Sequence, residues 1–477
     1  MNIAARLQQA FAGNASKVVL TRDGGGDGEG RGEALSGAAL DARCGGVAHD
    51  LVDLGLAKGA SIVIACEDPL ETVIGLIGGL LAGCTVAPLN PRLTEDERKQ
   101  IIDQLSPDHI VTGLSGREQV FEAALVEAED PAIILFTSGS TGIPKGVVLS
   151  HRAVSAGLDI WIEGALMITP DDVVLSVLPL GHSYGLFGTI LSPLLAGASS
   201  VLIPRFDIAE VLKTISRHRI TILPGVATMF RRILDSGALG GADLSSLRYA
   251  MTGAAPCPWD IAEGWKTATN TRIVRGYGMS ELFRPISYAP DNLPEVPEAI
   301  GRALPGVELK TVGDDGEPPP DGETGELWIR TPACMTEYVG RPDETEAVLE
   351  DGWFKTGDLA VISREGLVHL VGRKKDIILR GGYTIVPGEV ETVLTEHPDV
   401  TDAAVIGVPS REMGEEIAAF VVLQGEAALS EDALMAYCRE RLAYKYPRIL
   451  YLLPELPRGV TGKVDKIALK KRAEVTV

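Results

Sequence analysis

Basic residues are in deficit: 44 Lys and Arg stand against 65 Asp and Glu in 477 residues, a formal net charge of −21. A nucleic-acid partner is disfavoured on that ground, because neutralising phosphates takes clustered Lys and Arg. An anionic small molecule is not, since a local cationic pocket can sit on an acidic surface. Paired cysteines are lacking too. Cys44, Cys66, Cys84, Cys257, Cys334 and Cys438 are scattered with no C-x-x-C, which predicts reduced thiols, a cytoplasmic setting and no structural zinc. The histidines show no metal-ligand spacing. No stretch offers the roughly 20 continuous apolar residues of a membrane span. Residues 72–88 break at Gly83–Cys84 into a short helix and a strand, and Pro179, Gly181, His182, Pro193 and Gly197 interrupt residues 173–204. Residues 1–13 hold no signal-peptide apolar core. No Gly-Lys is followed by Ser or Thr, so a Walker A loop is excluded. No internal repeat is visible.

What is present is ample core material. Apolar residues make up 45% of the chain, and the length predicts two or more domains. Short β-branched runs at 61–65, 133–136, 173–177, 200–203, 220–223 and 272–274 read as buried strands. Helical patterns at 208–217 and 228–236 lie between them. Such alternation predicts an α/β architecture with largely parallel sheets. Residues 23–32, nearly all Gly, Asp and Glu, read as a mobile hairpin tip, because no strand–helix pair frames them as a phosphate loop. From Val307 the texture changes to strands and turns. After Lys375 a segment with strands at 403–406 and 418–422 and a helix at 431–442 reads as a small separate domain.

The most informative stretch is Phe136-Thr137-Ser138-Gly139-Ser140-Thr141-Gly142-Ile143-Pro144-Lys145-Gly146, directly after the apolar strand 132–135. Its glycines permit tight turns and close backbone approach to an anion, its hydroxyls add donors, and Lys145 supplies a mobile positive charge. This is a loop for polyphosphate. Here the chain resembles the adenylate-forming superfamily: acyl- and aryl-CoA synthetases, luciferases and the adenylation domains of peptide synthetases. The resemblance covers nearly the whole chain, with the motifs in the family's order. It implies a large N-terminal domain, 1–374, of stacked α/β sheets with a β-barrel-like part, and a small mobile α+β lid, 375–477. Lys375 falls on the hinge position. The stretch ahead of Thr137 is shorter than is usual for the family.

The remaining motifs take their roles from that resemblance. Gly276-Tyr277-Gly278-Met279-Ser280-Glu281 is similar to the aromatic–Gly–x–Thr–Glu signature, with Ser for the usual Thr. An aromatic face can stack on adenine, a hydroxyl can bond the α-phosphate, and Glu281 is a hard oxygen ligand suited to Mg²⁺. Thr252-Gly253-Ala254-Ala255-Pro256 resembles the small-residue turn beside adenine. Asp358, in Lys355-Thr356-Gly357-Asp358, and Arg373, in Gly372-Arg373-Lys374-Lys375-Asp376, are matched to the ribose hydroxyls. Lys463, in Thr461-Gly462-Lys463, is matched to the family's catalytic lysine. A mobile ammonium there can meet the α-phosphate and the carboxylate at once. Leu178-Pro179-Leu180-Gly181-His182-Ser183-Tyr184-Gly185 resembles the segment lining the acyl pocket. The implied catalytic set is thus Lys463, Glu281 and His182.

The resemblance implies an ATP-dependent acid–thiol ligase that makes acyl-AMP and passes the acyl group to coenzyme A. A thiol channel is expected beside Arg380-Gly381-Gly382 once the lid has turned. Pocket-lining candidates His182, Ser183, Tyr184, Gly225, Val226, Gly253 and Met279 mix small and apolar types, which favours an aromatic or medium acyl group over a dicarboxylate. The expected partners are a small carboxylic acid, ATP and CoA, with a homodimer left open. An amino-acid-activating enzyme is the first competitor. Its ammonium-binding Asp is matched here by Ser183, which cannot pair with a cation, and no carrier domain follows Val477. Loading of a separate carrier protein stays open. A non-catalytic relative should have lost Lys463 or Glu281, and both are present.

Overall fold

The computed structural model describes residues 2–24, 32–56, 58–137, 144–290, 296–297, 299–425, 429–458 and 464–476. Contacts divide the chain into two compact units, Met1–Glu308 with Ile329–Phe354, and Leu309–Trp328 with Lys355–Val477. The tip expected at 23–32 falls mainly on residues 25–31, outside the described ones. All six cysteines are free thiols. Among the described residues no helix is long and apolar enough to cross a membrane.

The first unit carries two mixed α/β sheets. In one, the strands run in the order Ile273–Val274, Tyr249–Thr252, Ile222–Gly225, Val173–Ser176, Ser199–Leu202, Val18–Arg22, Glu33–Ser36. Every neighbouring pair is parallel except the last. Central strands buried on both faces read as continuous apolar runs rather than alternating ones, and Ile222–Gly225 and Tyr249–Thr252 are buried throughout. The strand expected at 220–223 begins two residues later. Ile220 closes the turn after helix Ile208–His218, its N–H bonded to Ile215 O at 3.1 Å, so the ladder starts beyond it.

The second sheet runs Glu337–Tyr338, Lys145–Ser150, Pro131–Thr137, Thr85–Pro88, Ser61–Ile64, His109–Val111. Its first two pairings are antiparallel and the rest parallel. Helix Pro69–Leu81 starts on the Asp68 carboxylate, which accepts from Leu70 N at 2.8 Å, and has proline in its first turn. Both are standard starting devices. A three-stranded antiparallel sheet, Gly276–Met279, Phe283–Ser287 and Arg302–Ala303, completes the part that positions the site.

In the second unit, strand Val368–Arg373 pairs antiparallel with residues 358–362 of the strand Trp353–Ile362. A further sheet runs Tyr383–Ile385, Ile378–Arg380, Gly414–Leu423, Val400–Ser410, with Ile449–Leu453 parallel to Gly414–Leu423. Helices Pro387–Thr395 and Glu431–Leu442 supply Val390, Leu394, Leu434 and Cys438 to the core on one face. Helix Lys466–Thr476 supplies Leu469 and Ala473 to the other. The helix expected at 431–442 has those bounds, with Ser430 accepting from Ala433 N at 3.2 Å.

His151 opens helix His151–Ile160 and is 1% exposed. Neither ring nitrogen has a hydrogen-bond partner among the described residues. Burial lowers its pKa to about 4, against ~6.5 for a free histidine. The unfolded chain therefore takes the proton more readily than the folded one. The stability at stake is fully present above pH ~6.5 and is lost as pH falls through the window towards 4, by up to about 3 kcal/mol. His151→Leu should flatten the fall of the urea midpoint in that window. Parallel profiles for variant and wild type would assign the loss to other groups.

Candidate functional site

Thr137 and Lys145 are register partners at the ends of two antiparallel strands, with the Thr137 hydroxyl 3.5 Å from Lys145 O. Ser138, Gly139, Ser140, Thr141 and Gly142, expected between them, lie outside the described residues. The Lys145 ammonium contacts Glu344 Oε2 and stands 5.0 Å from the centre of the Tyr338 ring. Tyr338 is carried next to it by the short edge strand Glu337–Tyr338, opposite Val147. Its hydroxyl donates to Glu281 Oε1 at 2.9 Å. Burial, then the Glu281 charge, pushes the Tyr338 hydroxyl far up the scale, so it remains a proton donor. Glu344 accepts from Arg341 at 2.6 Å, and hydrogen bonds from Lys145 and then Arg341 hold its carboxyl below the usual range.

Ser280 and Glu281 sit in a tight turn, since Met279 pairs with Phe283. Phe283 takes the left-handed conformation, φ +60°, where a three-residue hairpin loop commonly places glycine. Its ring stacks on Phe187 with centroids 4.2 Å apart. Gly278 is required there, because a Cβ would lie 2.1 Å from Phe283 O. Tyr277, half-buried, is on the same hairpin. The turn after strand Tyr249–Thr252 runs Gly253-Ala254-Ala255, with Ala254 at φ +67°. Buried Arg284 ties the two motifs, donating to Thr252 O at 2.7 Å and Ser287 Oγ at 3.0 Å.

The acyl-pocket candidates gather on the same side. Ser183 Oγ accepts from Ser280 Oγ at 3.3 Å. The Tyr184 hydroxyl donates to Met251 O at 2.8 Å, and its ring lies on Gly253, where a Cβ would be 3.0 Å from it. Trp161 meets Tyr184 edge-on at 6.1 Å. Gly225 is paired with Thr252, Val226 precedes helix Ala227–Asp235, and Met279 is half-buried on the hairpin. His182 Nε2 is 3.4 Å from Asn90 Nδ2.

In the second unit Asp358 is opposite Arg373, Oδ1 and Nε being 3.4 Å apart. The flanking residues explain how Asp358 is presented. The Thr356 hydroxyl donates to Leu327 O at 2.7 Å and accepts from Asp358 N at 3.1 Å, while Gly357 takes φ +68°. Glu326 accepts from Gly357 N and from Lys374 Nζ, each at 3.2 Å. Lys375 lies in a short 3₁₀ turn, Lys374–Asp376, whose Asp376 pairs with Lys466 at 2.9 Å. Arg380 pairs with Glu416 at 2.5 Å. Gly381 and Gly382, φ +56° and +82°, form the two-residue link between strands Ile378–Arg380 and Tyr383–Ile385. Positive φ at both positions is what such a link demands, so the fold itself explains both glycines. Lys463 lies outside the described residues.

Sequence reasoning passed over Tyr338, Arg341, Glu344 and Arg284. The available signal was thin: a Tyr shortly before an Arg-Pro with acidic residues, and a lone Arg in an apolar strand.

Residues 7–124 and 114–339 match the AMP-binding enzyme family, and residues 389–463 match the AMP-binding enzyme C-terminal domain. A long-chain-fatty-acid–CoA ligase of Yersinia pestis is 36% identical over 360 residues, which span 74% of this chain and 64% of that protein. A ligase of the same name from Escherichia coli O6:H1 is 30% identical over 488 residues, 88% of this chain and 86% of that one. An ATP-bound MatB from Rhodopseudomonas palustris superposes with a TM-score of 0.92 at 30% identity, over 99% of both chains.

The Gly278 contact is testable. Gly278→Ala must spread the hairpin, because the obstructing atom is backbone, and should cost ~1–3 kcal/mol by urea denaturation. Gly264→Ala, whose Cβ would meet only Leu234 at 3.4 Å within helix Trp259–Thr269, should be neutral or stabilising. Equal effects would contradict the close approach.

Proposed function

This chain belongs to the AMP-binding enzyme family, and from that premise we infer that it joins an aromatic or medium-length organic acid to coenzyme A. It is an acyl-CoA synthetase, driven by ATP through an acyl-AMP. The observation that carries the reading is the unbroken run of contacts from Lys145 through Tyr338 to Glu281, and from Ser280 through Ser183 and Tyr184 to Gly253. Phosphate-binding and acid-binding candidates are thus neighbours in one unit.

In the proposed first half-reaction the acid carboxylate attacks the α-phosphate, and pyrophosphate leaves towards the loop from Thr137 to Lys145. Tyr277 stacks on adenine beside Gly253, Ala254 and Ala255, and Ser280 donates to the α-phosphate. Asp358 accepts from the ribose hydroxyls with Arg373 beside it. Lys463 bridges carboxylate and phosphate. Glu281 suits Mg²⁺. One of its oxygens accepts from Tyr338, and a hard carboxylate of this kind would hold the ion together with substrate phosphates. The ion would neutralise phosphate charge. In the second half-reaction the segment 375–477 turns about Lys375, and the thiol enters beside Arg380, Gly381 and Gly382. Free thiols at all six cysteines suit a reducing cytoplasm.

The acid preference rests on Tyr184. Anchored on Met251 O and lying on Gly253, with Trp161 at its edge, it makes a flat, short wall suited to a ring or medium chain. A second reading, a long-chain fatty acid, has the names of the two relatives in its favour.

Pyrophosphate release measured over a panel of benzoates and straight-chain acids, with and without CoA, separates these readings. The highest kcat/KM should fall on a benzoate or an acid of medium length. A maximum at palmitate would overturn the preference, and no CoA-dependent turnover with any acid would overturn thiol ligation. For the catalytic lysine, Lys463→Ala should nearly abolish acyl-AMP formation in a single turnover. Thioester formation from preformed acyl-AMP should be much less affected. Equal loss in both half-reactions would remove Lys463 from its role.

A further inference from the structure

Lys145 shares its counter-ion. One oxygen of Glu344 contacts the Lys145 ammonium, and the other lies 2.6 Å from Arg341 Nη1. The second guanidinium nitrogen of Arg341 is 3.5 Å from Pro144 O, the carbonyl just before Lys145. Two cations therefore stand at the same end of the loop, bridged by one carboxylate. None of the three is sealed in: the side chains of Lys145, Arg341 and Glu344 are 22%, 19% and 40% exposed. An incoming anion can reach all of them.

We propose that Glu344 is an internal competitor for polyphosphate: it holds Lys145 and Arg341, is displaced by the β- and γ-phosphates of ATP, and returns as pyrophosphate leaves. Arg341 then acts as a second phosphate-binding cation. The proposal rests on the reading of Lys145 as a phosphate ligand. Its physical basis is exchange. A polyphosphate offers more charge and more acceptor oxygens than one carboxylate, so it wins the pair of cations. The carboxylate offsets part of that gain, and the offset limits how tightly the product pyrophosphate is held. Binding that is equally strong before and after the chemical step adds nothing to turnover. The lowered pKa of Glu344, caused first by Lys145 and then by Arg341, keeps the competitor charged at neutral pH.

The test is calorimetric titration of the full chain with pyrophosphate and with MgATP, for wild type, Lys145→Ala, Glu344→Gln and the double variant. Glu344→Gln should tighten pyrophosphate by roughly 5- to 10-fold, because the cations lose their rival. In the Lys145→Ala background that tightening should shrink by at least half, the coupling expected of residues in direct contact. Glu344→Asp, whose shorter carboxylate is drawn back from Lys145, should tighten binding in the same direction by less, and it serves if Glu344→Gln folds poorly. The failures separate cleanly. Unchanged binding in Lys145→Ala would sink the phosphate reading of Lys145. Weakened binding there, with unchanged or weaker binding in both Glu344 variants, would keep that reading and overturn the competitor.

Discussion

Asp172, Thr221 and Arg248 each stand immediately before one of three neighbouring parallel strands, and a single buried carboxylate ties them together. Asp172, 2% exposed, accepts from the Thr221 hydroxyl at 2.7 Å, from Arg248 at 2.5 Å and from Thr169 N at 2.8 Å. Burial alone would raise its pKa, but the Arg248, Thr221 and Thr169 hydrogen bonds outweigh burial and hold it below the usual range. The Arg248 end of the pair is 41% exposed, so what holds Asp172 charged is the set of three donors together rather than the ion pair alone. With the N-terminal ends of Val173–Ser176, Ile222–Gly225 and Tyr249–Thr252 held at one level, their C-terminal ends must also finish together. Those ends lead into the segment of His182 to Tyr184, into Gly225–Val226, and into Gly253 to Ala255. The crevice at the carboxyl ends of parallel strands is where α/β sheets bind ligands. Here the register of three loops is fixed from the opposite edge.

Upon that scaffold two cations and two carboxylates are brought together on a strongly acidic chain. Lys145 and Arg341 face Glu344, while Glu281 is held by the Tyr338 hydroxyl rather than by either cation. Tyr338 meets Lys145 with its ring and Glu281 with its hydroxyl, so the two oppositely charged residues are neighbours of one aromatic side chain. A net charge of −21 is in itself no obstacle to nucleotide binding, because the potential that matters is local.

What was legible in the sequence is what is contiguous. The strand before Thr137, the helix over 431–442, the break at Gly83–Cys84 and the run from Gly276 to Glu281 each carry their signal within about a dozen residues. Gly278 and Gly357 were visible as motif glycines, and the backbone supplies their reason in close approach and positive φ respectively. Residues that reach the site from elsewhere were not legible. Tyr338, Arg341 and Glu344 arrive because a two-residue strand joins the edge of the second sheet beside Val147, and no local pattern announces so short a pairing. Trp161 begins a π-helical stretch, Trp161–Leu166, whose wider turn defeats a 3.6-residue reading of which face it presents. The misplaced strand start near Ile220 has a similar cause, since an apolar residue closing a helix looks like one opening a strand.

Two non-glycine residues in left-handed backbone flank this site, and both could have been glycine at lower conformational cost. Ala254 and Phe283 each forgo on the order of 1 kcal/mol by adopting positive φ. For Phe283 the reason is the packing of its ring. A glycine at 283 would relax the turn but remove the ring that stacks on Phe187 and fills the space over Gly157, where any Cβ would fall 2.5 Å from it. Gly157 is itself a concession, costing roughly 1 kcal/mol relative to alanine within helix His151–Ile160. Strain at one residue and a weakened helix at another are thus accepted together, and what they hold in common is a hairpin whose loop is Ser280-Glu281-Leu282. With glycine at 283 the turn would be looser, and the Ser280 hydroxyl and Glu281 carboxylate would sample more positions. The turn's strain is what that fixed placement costs, and preorganised groups of this kind need no reorganisation when a ligand arrives.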